Sequence, residues 1–139
     1  MLSKEYDKAL SPMSQAARIS GDPNRYNELG QSYIALDKWD EAAKALTMAL
    51  DKDAAARKSN QDKKTKKAQL KRPDQVRLSL GLTLVEQKKF EEAQKLFERV
   101  LANDPESEAA SKWIDYVKAE KRRIEQLEAP IVINVNVDF

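Results

Sequence analysis

The sequence predicts an all-α fold of paired antiparallel helices, and three observations carry that expectation. The chain has 139 residues with only 3 Gly and 5 Pro, too few turn formers for an all-β protein. The stretch "LGQSYIALDKWDEAAKAL" at 29–46 returns as "LGLTLVEQKKFEEAQKLF" at 80–97, an offset of 51 residues. Two of the three glycines, Gly30 and Gly81, occupy the same place in both copies, inside segments that read as helix. Gly costs roughly 1 kcal/mol against Ala in a helix interior, so its return asks for a packing reason. Length fits one helical domain, and 35% charged residues give it a polar surface.

The first element, "EYDKALSPMSQAARIS", reads as the second helix of an earlier pair, with Tyr6, Ala9, Met13 and Ala16 facing inward. Pro12 is expected to kink or restart it. The next helix starts at Asp22-Pro23, because proline at the first helical position loses no hydrogen bond and Asp22 caps well. After a short polar break, the third helix carries Trp39, Ala42, Ala43, Leu46, Ala49 and Leu50 on an i, i+3, i+4, i+7 stripe. No Gly or Pro lies between Asp51 and Arg72, so this helix is expected to continue to near Asn60. The fourth starts at Arg72-Pro73, and the fifth repeats the stripe with Phe90, Ala93, Leu96, Phe97, Val100 and Leu101. After Asp104-Pro105 comes a long capping helix, with Ala109, Trp113, Tyr116, Val117, Ile124 and Leu127 on its apolar side. The expected layout is a helical domain over 1–128, with a basic insertion at 53–72, and an extended tail over 129–139.

In the two central units Leu29 falls on Leu80, Tyr33 on Leu84, Trp39 on Phe90, Leu46 on Phe97 and Ala49 on Val100. Small residues coincide at Gly30/Gly81 and at Ala42/Ala93. The expectation is that glycine and alanine face each other, letting the two helices of a pair approach closely.

This pattern resembles the tetratricopeptide repeat, a helix–turn–helix unit of about 34 residues. Leu29, Gly30, Tyr33, Ala42 and Leu46 carry the resemblance in one unit; Leu80, Gly81, Ala93, Phe97 and Pro105 carry it in the other. The second unit has Leu84 where the family has Tyr, and the first lacks the closing Pro. The resemblance implies a TPR-like α-α superhelix: two full pairs, a preceding half repeat and a capping helix, cut from the C-terminal part of a longer array. It also implies a concave face, lined by the first helix of each pair, that binds a peptide or protein partner. By that register the groove residues are Asn24, Asn27, Gln31 and Ile34, then Gln75, Leu78, Leu82 and Val85, with Lys112 and Tyr116 from the capping helix. Some family members clamp a C-terminal carboxylate with Lys, Arg and Asn on successive first helices. Those sites here read Asn27 and Gln31, then Leu78 and Leu82, so a clamp of that kind is not expected. The phrases "AARISGDPNRYNELGQSYIALDKWDEAAKAL" and "SKWIDYVKAEKRRIEQL" resemble proteobacterial TonB-system-associated repeat proteins. That narrower resemblance implies the periplasm or envelope; without it the chain reads as cytoplasmic.

The inventory narrows the chemistry. The chain has no Cys and no His, which removes thiolate catalysis, cysteine zinc sites and the commonest general base and metal ligand. No carboxylate sits in an apolar setting that would shift its pKa. The expectation is an adaptor, not an enzyme, with no cofactor and no metal. No stretch reaches the ~18 apolar residues of a membrane span, and the start lacks a signal peptide's apolar core.

Charge is segregated. Over 51–72, nine basic side chains against three acidic ones give +6, so the rest of the chain carries −4 within a total of +2. Lys58, Lys63, Lys64, Lys66 and Lys67 form its basic patch. An electrostatic binder of nucleic acid or anionic membrane is the competing function. The segment has no aromatic residue to stack on bases, which argues against nucleic acid. The plainer expectation is a solvated helical extension or mobile loop. The tail "IVINVNVDF" changes period: Ile131, Ile133, Val135, Val137 and Phe139 alternate as a strand does. The expectation is that it pairs with another copy or lies extended in a groove, the plainer alternatives being a flexible end or an edge strand awaiting another protein.

Overall fold

The computed structural model describes the backbone of residues 2–128, and side chains from Leu10 onward. Six helices follow one another: α1 (Leu2–Ser20), α2 (Pro23–Ala35), α3 (Trp39–Asp62), α4 (Pro73–Glu86), α5 (Phe90–Asn103) and α6 (Glu108–Glu128). Each packs on the next, and α2 also lies against α4. The order is the expected one: half repeat α1, pairs α2–α3 and α4–α5, and capping helix α6. All regular structure among the described residues is helical. The tail, with Ile131, Ile133, Val135, Val137 and Phe139, lies outside the described residues.

The prolines start two helices as their chemistry requires. Pro23 and Pro73 are first residues of α2 and α4, and Asp22 accepts the Asn24 N–H at 2.9 Å. Pro12 departs from expectation, because α1 runs unbroken through it. The Pro12 ring is exposed, so it stays out of the packed face, and the helix forgoes one i−4 hydrogen bond. Leu10 and Ala17 are buried and Met13 half-buried, so the inner face of α1 centres on Ala17 rather than Ala16. Tyr6 and Ala9 lie outside the described side chains.

The stripes of α3 and α5 bury as predicted at Ala42, Leu46 and Ala49, and at Phe90, Ala93, Phe97 and Val100. The capping helix is rotated from its expected face. Ala110, Ile114 and Val117 are buried, while Ala109 is exposed, Tyr116 is 46% exposed and Leu127 73%. Trp113 explains the rotation: its ring stacks on Phe97 at 6.2 Å and holds Tyr116 edge-on at 5.3 Å, outside the core.

Both turns between paired helices are built alike. Lys38 N–H reaches back to the Tyr33 carbonyl and Asp37 N–H to Ile34; Lys89 reaches Leu84 and Lys88 reaches Val85. These are Schellman closures, which put the residue after the cap in the left-handed region. Asp37 (φ 55°) and Lys88 (φ 63°) occupy it without being glycine. Lys has no local hydrogen bond to offset that conformation, whereas Asp tolerates it. Lys88→Gly is therefore expected to stabilise the fold by about 0.5–1 kcal/mol, after allowing for the looser unfolded chain. Urea unfolding checks this, and a variant no more stable than the wild type would contradict it. Asp37→Gly gains less.

The glycines have a packing reason, but not the expected one. A Cβ on Gly30 would lie 2.6 Å from Leu46 Cδ2, and one on Gly81 would lie 2.5 Å from Phe97 Cε1. The atoms nearest each glycine thus belong to the large residue one turn beyond Ala42 or Ala93. A bulky side chain of the second helix fills the hole that the missing Cβ leaves in the first. Ala42 and Ala93 are fully buried in their own right.

In the insertion, helix α3 runs to Asp62, close to the expected end near Asn60, and the chain then folds back along it as an irregular, pinned strap rather than a loose loop. Asp53, only 3% exposed, accepts the Leu70 N–H at 2.7 Å and Arg57 Nε at 2.9 Å. Arg57 Nη2 donates to the Leu70 carbonyl at 2.9 Å. The Asn60 side chain takes the Lys67 N–H at 2.8 Å and gives to the Lys67 carbonyl at 2.9 Å. Leu70, 3% exposed, enters the main core beside Val76 and Leu80. Side chains of α3 therefore bind the backbone of Lys67 and satisfy that of the buried Leu70, as buried polar groups require.

Candidate binding groove

First helices α2 and α4 lie side by side, and the face they share carries an open cleft of about 380 Å³. Asn24, Asn27 and Gln31 line it from α2, Gln75 and Val76 from α4, and Leu70, Lys71 and Arg72 from the end of the strap. Helical spacing explains the α2 contribution, since residues three and four apart share a face. Gln31 Nε2 donates to Ser79 Oγ at 3.1 Å, tying the two helices, and lies 3.3 Å from Asn27 Oδ1. Asn24 spends its amide on structure, donating to the Gln69 carbonyl at 2.9 Å and to Asp22 Oδ1 at 3.0 Å. That bond fixes the strap against α2.

Four of the ten register-predicted residues line this cleft: Asn24, Asn27, Gln31 and Gln75. Ile34, Leu78 and Leu82 are half-buried and pack on the main core, and Val85 is buried within it. Lys112 lines a separate shallow cleft beside Pro105 and Ser111, and Tyr116 packs on Trp113. The reading from the first helices missed Leu70, Lys71, Arg72 and Val76. A signal was present, since Leu70 is a lone large apolar residue in a basic, polar run.

The cleft's electrostatics are one-sided. Its lining includes two cations and no carboxylate. Lys71 and Arg72 are exposed and form no ion pair among the described residues, whereas Arg57, Arg77, Lys121 and Arg123 each pair with a carboxylate. Asp74, near the start of α4, is already committed to Arg77 at 2.7 Å and Asn103 at 2.9 Å. Lys58, Lys63, Lys64, Lys66 and Lys67 are all exposed on the strap and the end of α3, and none lines the cleft. A larger cleft of about 730 Å³ lies between α3 and α5, but it mixes Asp40, Asp51 and Glu92 with Lys44 and Lys89.

The shifted ionisations lie on α5 and α6, and one of the two pairs, Lys121–Glu91, joins the cap to α5. Lys121, bonded to Glu91 at 2.5 Å, holds that carboxyl below its ordinary range by hydrogen bonding and then by charge. Arg123 does the same to Glu120, and Glu120 in turn raises the guanidinium's pKa. Both carboxyl values are lowered, so this support is present above the ordinary carboxylate pKa and fades as pH falls below it. Glu91 and Arg123 are largely exposed, so salt screens the effect. No helix among the described residues is long and apolar enough to cross a membrane.

Comparison with known proteins agrees with this architecture. Tetratricopeptide repeat models match residues 28–56 and 78–114. Among solved structures, the second TPR domain of the human RPAP3 protein, determined by NMR in complex with the HSP70 peptide SGPTIEEVD, has a similar fold. The two superpose with a TM-score of 0.62 at 18% identity, over 83% of this chain and 82% of that one. No curated protein matches. The narrower resemblance to TonB-associated proteins gains no support from these matches. The chain therefore folds as an all-helical array similar to a TPR domain, with tetratricopeptide repeat models matching its two central helix pairs.

Proposed function

We propose that this chain is a protein-interaction module that holds an extended segment of a partner along the face shared by α2 and α4. The observation that carries the reading is the cleft itself, lined by Asn27, Gln31 and Gln75 beside Val76 and Leu70. A side-chain amide both donates and accepts, so it can bridge the N–H and C=O groups of an extended backbone, while the apolar neighbours take a side chain. The peptide complex of the similar human domain supports the reading at the level of fold. In this reading the module performs no reaction of its own; it positions a partner. The finer expectation, a place in an envelope or TonB-linked assembly, rests only on the two sequence phrases quoted above.

The test is fluorescence anisotropy with labelled octapeptide pools. Asn27→Ala/Gln31→Ala/Gln75→Ala should weaken binding about tenfold or more, since three hydrogen-bonding groups are lost. Its unfolding curve should stay near that of the wild type, because Gln31 and Gln75 are exposed and Asn27 is half-buried. Unchanged affinity in a folded triple variant would refute the groove. Leu78→Glu and Leu82→Glu are poorer probes, since both positions pack on the core.

A further inference from the structure

The strap between the two repeat units does more than join them. Its last three residues before α4 are a wall of the groove: Leu70 is buried, while Lys71 and Arg72 are exposed and line the cleft. The wall is held from two sides. Asp53 and Arg57 bind both backbone polar groups of Leu70, and Asn24 of α2 binds the carbonyl of Gln69. The backbone that carries the two cations is thus fixed to both α2 and α3 before any partner arrives, which lowers the ordering cost of binding.

We propose that this strap makes the groove selective for acidic peptide segments, with Lys71 and Arg72 binding carboxylates of the partner. The inference rests on the groove reading above and names the partner's chemistry. Three observations converge on it. The lining has cations and no carboxylate; neither cation has an internal ion pair among the described residues; and the nearby Asp74 is already paired. The first-helix positions cannot supply this charge, because they read Asn27, Gln31, Leu78 and Leu82. The selectivity therefore belongs to the insertion. Arg offers a planar fork suited to a carboxylate and Lys a compact point charge, so the pair can engage one carboxylate jointly or two in succession.

The experiment uses the whole chain and three labelled octapeptide pools of otherwise identical Ala/Val/Ser composition. One pool contains two Glu, one two Gln and one two Lys, each made with free and with amidated C-termini. The Glu pool should bind about tenfold tighter than the Gln pool, since two exposed ion pairs of modest strength multiply to about that factor, and high salt should erase the difference. Lys71→Gln/Arg72→Gln should abolish the preference, bringing Glu-pool affinity down to that of the Gln pool. Amidation should leave the preference in place, because the Glu and Gln pools share the same terminus and differ only in their side chains. Equal binding of Glu and Gln pools, with the amide triple variant still weakened, overturns the proposal and leaves the groove reading standing. Binding by no pool overturns both. An oligothymidylate that binds through Lys71 and Arg72 more tightly than the Glu pool overturns it in favour of a nucleic-acid partner.

Discussion

Phe97→Ala should cost about 3–5 kcal/mol of unfolding free energy, the range for truncating a fully buried aromatic ring. The ring is 0% exposed and serves two packing roles. One edge fills the space left by Gly81, where an added Cβ would lie 2.5 Å from Cε1 and 2.7 Å from Cζ. One face stacks on Trp113 with 20° between the planes, joining the second repeat to the cap. Removing it opens a void shared by α4, α5 and α6. Gly81→Ala in the wild type should also destabilise: overpacking costs about 1–3 kcal/mol, against a propensity gain of about 1 kcal/mol. Phe97 cannot retreat, since Trp113 backs it. In the Phe97→Ala background the sign should reverse, because the clash is gone and only the propensity gain and some void filling remain. A urea-unfolding double-mutant cycle reads this directly. Additive effects of the two substitutions would mean that the Gly81–Phe97 contact is not why the glycine is there. Leu46 at Gly30 is the milder case, since the nearest atom is the end of a more flexible side chain.

Asp53→Ala is the second large effect, about 2–4 kcal/mol, because it strips a charged acceptor from a buried backbone donor and from Arg57. The Leu70 N–H would be left without its partner at a position 3% exposed. Arg57 keeps its bond to the Leu70 carbonyl, and its half-exposed side chain can be rehydrated, which limits the loss. Asp53→Asn retains one acceptor without the charge and should fall between. Unfolding midpoints give the magnitude, and hydrogen exchange at the Leu70 amide gives the location. Exchange there should rise in Asp53→Ala well before the α5 core amides follow. An unchanged midpoint with a still-protected Leu70 amide would show that the strap is held by other means.

Much of this was legible in the residues. Proline starts, the apolar stripes of α3 and α5, the register of the two units and the charge of the insertion follow from chemistry that acts within a few residues. Periodicity tells which face of a helix is apolar. It does not tell how far one helix is slid along another, so it does not place Leu46 and Phe97 nearest Gly30 and Gly81. The face of α6 was misjudged by about one residue for a related reason. Ring packing at Phe97 and Trp113 decides which side of that helix turns inward, and Tyr116 is left outside.

By itself the sequence determined an array of helix pairs without catalytic histidine or cysteine and with its positive charge gathered between two repeats. Local propensities and spacing suffice for that. Only the tertiary structure decided where the charge goes. Most of the lysine run stays solvated, but bonds from Asp53, Asn60 and Asn24, on helices on two sides, hold its backbone and make Lys71 and Arg72 a wall of the groove. Such bonds join residues 17 and 45 positions apart, and no local pattern encodes a pairing whose partners meet only when the helices have stacked.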